Sequence, residues 1–139
     1  MSDAAAHDCV GAVLLRNGAV LLGRRTSDRD WLPGAWDVFG GHIEPGEDAQ
    51  QALRRELDEE LGIVPDALHY LTTLDGPAPQ RWRLQLYAVT AWRGEPVNRQ
   101  PAEHAELRWC GLAEARRLLG DAHPDFPSVL ADALARGTD

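Results

Sequence analysis

One stretch of this chain constrains it more than any other. It runs Gly41-His-Ile-Glu-Pro-Gly-Glu47, then seven residues, then Arg55-Glu56-Leu57-Asp58-Glu59-Glu60-Leu61-Gly62-Ile63. Pro45-Gly46-Glu47-Asp48 reads as a turn and helix start, with acidic residues where the helix dipole favours them. The spacing predicts a helix from about Asp48 to Leu61, ended by Gly62 as its C′ residue. At about 100° per residue, Glu56, Glu59 and Glu60 fall within an arc of about 100°. Ala49, Leu53, Leu57 and Leu61 form the adjoining apolar stripe, while Gln50, Gln51, Arg54 and Asp58 turn to solvent. The three glutamates therefore stand at the edge of a buried face, only partly hydrated.

Like charges at i,i+3 and i,i+4 cost a helix roughly 0.2–0.5 kcal/mol per pair. Carboxylates clustered beside a buried stripe call for a cation, and a hard divalent ion such as Mg²⁺ or Mn²⁺ prefers oxygen ligands of this kind. Glu47 and Arg55 could pair and pin the cluster. Gly40-Gly41 lets the backbone approach closely, so a main-chain carbonyl there could add a ligand. The competing reading is a solvated acidic helix face, which is what most charge runs are.

The whole pattern decides between the two. It resembles the Nudix signature, G-x5-E-x7-R-E-U-x-E-E-x-G-U with U aliphatic, and every specified position matches. Seven fixed residues and two aliphatic ones would arise by chance in a chain this long about once in ten million. The resemblance implies an α/β fold, a Nudix-type α/β/α sandwich with a mixed central sheet, forming a single Nudix hydrolase domain over residues 1–139. It implies a metal-dependent, MutT-like enzyme that hydrolyses a nucleoside diphosphate linked to another moiety. Glu56, Glu59 and Glu60 would hold the metal, Mg²⁺ with Mn²⁺ as the other choice, helped by the carbonyl of Gly40 or Gly41. Glu47 and Arg55 would be the orienting pair. The general base is left among Glu59, Glu103 and Glu106, the last two lying before the final strand. His42 and His104 are read as surface or supporting residues.

The substrate is less constrained. Trp36-Asp37-Val38-Phe39-Gly40-Gly41 looks like the entrance segment of nucleotide-sanitising members, which favours a nucleoside triphosphate or an oxidised or modified nucleotide. Trp31 or Trp36 could stack on a base, worth roughly 1–3 kcal/mol, and Asp37 could accept from a base edge. Core packing is the other reading for the tryptophans. Phe39 and Arg24 complete the candidate substrate-binding set. ADP-ribose or a nucleotide sugar is the alternative; Pro77 and Pro79 stand near the distance of a marker proline, inside a turn-rich loop. A coenzyme A-type motif is not present as such: Arg24 and Arg29 fit, but a Pro before the glycines is missing. A silent Nudix-fold binding module would usually lack a box glutamate or the arginine, and none is missing here. An isoprenoid diphosphate isomerase would need a catalytic cysteine in its own motif, and neither Cys9 nor Cys110 stands in one.

Around the box, Cys9 to Leu15 and Ala19 to Gly23 read as a hairpin about Arg16-Asn17-Gly18. Trp36 to Ile43 contains a short strand. Leu68 to Leu74 and Glu106 to Cys110 read as strands, and Arg81 to Trp92 alternates, with Trp82, Leu84, Leu86 and Ala88 on one face. Leu112 to Leu119 and about Pro127 to Arg136 read as helices.

The net charge of −8, with arginine supplying all 14 basic residues, argues against binding a nucleic-acid polymer, which needs a basic stripe. A small nucleotide-like substrate remains, bound through local arginines or metal. With 44% apolar and 26% charged residues the chain has an ordinary globular composition. Its apolar runs are too short to span a bilayer and its start lacks a basic signal region, so a cytoplasmic monomer or homodimer is expected. Two cysteines set no disulfide framework.

Overall fold

The computed structural model describes residues 7–29, 32–76, 82–120 and 123–137. Strands β1 (His7–Arg16) and β2 (Ala19–Arg25) form the expected hairpin. Asn17 and Gly18 take positive φ, 55° and 77°, which suits the twist of a tight hairpin. The two strands pair only near this turn, Leu14–Arg16 against Leu21–Ala19. Beyond it they part. β2 takes β3 (Trp36–Asp37), while β1 takes β4 (Phe39–His42). In place of the single short strand expected within Trp36–Ile43 there are two pieces, hinged at Val38, whose N–H donates to Asp37 Oδ1 at 2.8 Å.

On its other side β1 runs parallel to β7 (Trp82–Val89), which pairs antiparallel with the edge strand β6 (His69–Asp75). β9 (His104–Gly111) lies antiparallel along β2, with a bulge at Arg24/Arg25. β9 starts at His104, two residues before the strand expected there. A two-residue ladder, β5 (Val64–Pro65) with β8 (Trp92–Arg93), was not foreseen; an element that short has no period to read.

Both faces of this mixed sheet are covered, which is why alternate residues of β1 are apolar in both directions. Val10, Ala12 and Leu14 pack with Leu53, Leu57 and Leu61 of α1 (Ala49–Leu61). Val13 and Leu15 pack with Leu119 of α2 (Leu112–Leu119) and with Phe126 and Leu130 of α3 (Phe126–Gly137). The result is the α/β/α sandwich. Asp48 caps α1 by accepting from the Gln51 N–H at 2.8 Å, and Gln51 Oε1 accepts from the Asp48 N–H at 2.9 Å, a reciprocal capping box. Gly62, left-handed at φ 72°, ends it. Among the described residues no helix is long and apolar enough to cross a membrane.

Candidate active site

Where β3 and β4 part, a cleft of about 760 Å³ opens between the N-terminal half of β1, α1 and the start of β9. That volume lies in the range of small-molecule sites. Its floor is the box. Arg55 projects from α1 as a fork onto Glu47: Nε donates to Oε2 at 2.7 Å and Nη2 to Oε1 at 3.0 Å. The same guanidinium reaches Glu56 at 3.1 Å, Glu59 at 3.3 Å and the His42 carbonyl at 3.1 Å. Glu47 above all, and Glu56 after it, hold Arg55 charged beyond its ordinary range, and Arg55 holds the Glu47 carboxyl below its own. The loop before the helix and the helix itself are tied at one side chain.

Beneath the fork the carboxylates are starved of water. Burial, then the neighbouring Glu60, pushes Glu56 up to about 8 against the pull of Arg55. Burial also raises Glu60 to about 8, with Glu103 and Asp37 adding to it and Glu56 and the Gly40 amide opposing. Glu60 is only 3% exposed; its Oε1 meets His104 Nε2 at 2.8 Å, and its Oε2 has no hydrogen-bond partner among the described residues. Gly40 and Gly41 line this floor for a steric reason. A Cβ on Gly41 would collide with the Glu56 carboxyl, and one on Gly40 with the Val10 carbonyl.

The wall is polar on one side. Asp37 is raised to about 6 by burial, opposed by the Val38 N–H and by the charges of Arg25, His104 and Arg29. Arg29 donates to the Glu103 carbonyl at 3.2 Å and lies 3.9 Å from the Glu103 carboxylate. Leu32, Val38, Trp82, Leu84 and Phe126 make the apolar side. Cys9 also lines the cleft, but burial first, then Asp8, Asp37 and Glu56, push its thiol up to about 11, so it stays protonated and un-nucleophilic at neutral pH.

The cleft thus gathers Glu56, Glu59, Glu60, Arg55, Gly40, Gly41, Asp37, Phe39 and Glu103, with Glu47 behind them. It leaves out others. Arg24 and Glu106 are register partners on β2 and β9 and pair at 3.6 Å away from the cleft, with Arg108 also on Glu106. Trp36 is 9% exposed and packs in the core of the α2–α3 face, with the Arg108 guanidinium 4.6 Å over its ring. Phe39 touches the cleft but is fully buried, its ring edge-on to His104 at 5.1 Å. Trp31, Pro77 and Pro79 lie outside the described residues. Arg25 was not among the candidates, and His104, read as a surface or supporting residue, is buried and bonded to Glu60. Period-two alternation separates Arg24 from Arg25 but does not say which faces inward, and a lone His gives no signal until Glu60 is placed beside it.

A sandwich of this kind, with a glycine-lined carboxylate floor pinned by an arginine fork, belongs to enzymes that hydrolyse phosphoanhydride bonds. A model of the NUDIX domain matches residues 5–133, and the chain belongs to the Nudix family as a pyrophosphohydrolase. It is 52% identical to the nucleoside triphosphatase NudI of Enterobacter sp. (strain 638), over 76% of this chain and 88% of that protein. It is 36% identical to the CTP pyrophosphohydrolase of Escherichia coli K12, over 78% of each. Among solved structures, the MutT NUDIX hydrolase from Burkholderia pseudomallei superposes with a TM-score of 0.74 at 31% identity, over 78% of this chain and 84% of that one.

Hydrolases of this family generally need a divalent metal ion. Among the described residues no three acidic, His or Cys side chains converge on one point, and Glu59 is turned onto Arg55 at 3.3 Å. The floor nevertheless fits a cation. Glu60 is buried with Oε2 unpartnered, and the half-buried Glu56 shares the one Arg55 guanidinium with Glu47 and Glu59. The cleft as a whole sets six carboxyl groups (Asp37, Glu44, Glu56, Glu59, Glu60, Glu103) against three guanidinium groups (Arg25, Arg29, Arg55). A polyphosphate entering that field would be repelled without added cations.

Proposed function

We propose that this enzyme hydrolyses nucleoside triphosphates, or oxidised or modified forms of them, to the monophosphate and pyrophosphate. The observation that carries the reading is the paired, water-starved carboxyls of Glu56 and Glu60 on the cleft floor beneath the Arg55 fork. The activities named for the relatives, nucleoside triphosphatase and CTP pyrophosphohydrolase, support it. So does a cleft with room for one nucleotide and an apolar wall for its base.

Glu56, Glu59 and Glu60 would hold a Mg²⁺ or Mn²⁺ ion, with a carbonyl of Gly40 or Gly41 as a further ligand. Bound there, the ion supplies positive charge to the phosphate oxygens and makes water more acidic. The rest falls to the chain's own groups. Arg55 fixes the carboxylates, so that they need no reorganisation as charge develops. Arg25 and Arg29, on the wall above, meet the outer phosphates. Glu59 or Glu103 takes the proton as water attacks phosphorus and the anhydride P–O bond breaks, releasing pyrophosphate. Asp37 accepts from an amino group on the base edge, across from Trp82 and Leu84.

A panel of nucleoside triphosphates, oxidised nucleotides, ADP-ribose, dinucleoside polyphosphates and nucleotide sugars, run with Mg²⁺ and with Mn²⁺, tests this. The expected result is monophosphate and pyrophosphate from triphosphates, abolished by chelator. ADP-ribose or a nucleotide sugar cleaved with higher kcat/KM than every triphosphate would move the enzyme to that substrate class. Turnover of triphosphates in excess chelator would overturn the metal role.

A further inference from the structure

Of the histidines that line the cleft among the described residues, His104 is the buried one, and its surroundings are shaped to hold it. It opens β9, is 8% exposed, and places Nε2 2.8 Å from Glu60 Oε1. Its own backbone is fixed on both sides: the N–H donates to the Gln100 carbonyl at 3.0 Å, and the carbonyl accepts from Asn98 Nδ2 at 2.8 Å. The ring is held edge-on by Phe39. On β2, Gly23 makes the space: a Cβ there would come within 2.9 Å of the Phe39 ring and 3.2 Å of His104 Nδ1. Nδ1 has no hydrogen-bond partner among the described residues, so the Nε2 contact with Glu60 is the ring's one hydrogen bond there, and Nε2 is its donor once Glu60 is ionised.

We propose that His104 is a positioning residue: it clamps one oxygen of the Glu60 carboxylate and so leaves the other, Oε2, aimed at the ligand site on the cleft floor. The clamp presupposes Glu60 as a metal ligand, as proposed above. A carboxylate on a helix has free rotation about its last bonds. Pinned at one oxygen by a rigid ring from another strand, it presents a single lone-pair direction at no further entropic cost on binding. The clamp also joins α1 to the turn that carries Glu103, since Glu103 directly precedes His104. Two candidate groups that come from distant parts of the chain are thereby kept in register.

Mn²⁺ binding to the substrate-free protein, measured by calorimetry and by the loss of the free-ion EPR signal, tests the clamp without relying on turnover. His104→Asn places its amide nearer the backbone and cannot reach Glu60, whereas His104→Gln sets an N–H near the Nε2 position. The Asn variant should bind Mn²⁺ about 10–100-fold more weakly, the range for loss of a group that orients a metal ligand. Its kcat should fall with KM for the nucleotide little changed. The Gln variant should recover most of both. In Glu60→Gln/His104→Asn the second change should add almost nothing to the loss from the first. Leu130→Ala, in the core of the other sheet face, and thermal melts of every variant provide the folding control. The clamp is overturned if affinity in all these variants merely tracks melting temperature, if Gln fails as badly as Asn, or if the double variant's losses add. Wild-type protein that binds no Mn²⁺ would instead overturn the metal site itself.

Discussion

Arg55 shows how much one side chain is asked to do here. Its guanidinium spends all three nitrogens, on both oxygens of Glu47, on Glu56 and Glu59, and on the His42 carbonyl. A lysine keeps the charge but has one ammonium and no fork. Arg55→Lys is therefore expected to fold normally and to lose kcat/KM on the order of 100-fold, as small misplacements of reacting groups do. Steady-state rates beside a melting curve check it; a near-normal rate would reduce Arg55 to a surface counter-charge. Trp36 is the opposite case. Buried beneath Arg108 on the α2–α3 face, it is core, and Trp36→Ala should cost about 3–5 kcal/mol of stability while leaving the order of preference among nucleosides unchanged. A KM that rises for one base and not another would restore a stacking role. The box was legible residue by residue because its spacing is fixed by one helix turn after another. Arg25 and His104 were not, because what makes them matter is a neighbour from a distant element, as Glu60 of α1 is for His104 on β9.

At the scale of elements, α1 and its two ends were legible, down to Asp48 at the start and Gly62 at the stop. Cap residues announce themselves by chemistry that no other position needs. Gly62 sits at φ 72°, where an L side chain is strained by about 1–2 kcal/mol. Gly62→Ala should lower stability by that amount, and its Cβ would also press on the Arg99 side chain at 3.0 Å. Denaturant unfolding measures this, and an unchanged midpoint would mean that the helix end relaxes out of the left-handed form. The β1–β2 hairpin was equally plain from Asn17-Gly18. What the sequence concealed is the parting of that hairpin. The segment from Trp36 to Ile43 reads as containing one short strand, yet the Asp37 side chain takes the Val38 N–H and the segment divides between β2 and β1. That split opens the cleft. It depends on a local side-chain-to-backbone bond competing with the ladder, which no period of two can reveal.

Across the whole molecule, the buried acids tie stability to pH and to metal. Glu56 and Glu60 rise from an ordinary 4.5 to about 8, and Asp37 from 3.8 to about 6. A carboxyl whose pKa is higher folded than unfolded keeps its proton in the native state after the unfolded chain has lost it. Its contribution is complete below the unfolded value and is lost as pH climbs through the folded one. His104 works the other way, since burial lowers its pKa below 6.5, so it favours the fold increasingly up to that pH and then no further. Cys9 and Cys110 shift only above 9. Between pH 6.5 and 8 the glutamate pair therefore stands nearly alone, and the chelated protein should lose melting temperature steadily across that interval. A divalent cation held by the same two groups, as proposed above, would need them ionised and would bind the folded state only. Its stabilisation is RT ln(1 + [L]/Kd), about 2.7 kcal/mol at a hundredfold excess over Kd, and Kd itself tightens as the carboxyls deprotonate. Saturating Mg²⁺ or Mn²⁺ should thus flatten the decline, and the metal-induced rise in melting temperature should be larger at pH 8 than at pH 6. Glu56→Gln, which removes one of the coupled acids, should weaken both effects together. Melting curves at half-unit pH steps, with and without chelator, measure all of this, and a chelated curve that is flat from 6.5 to 8 would show that the pair ionises as freely in the fold as in water.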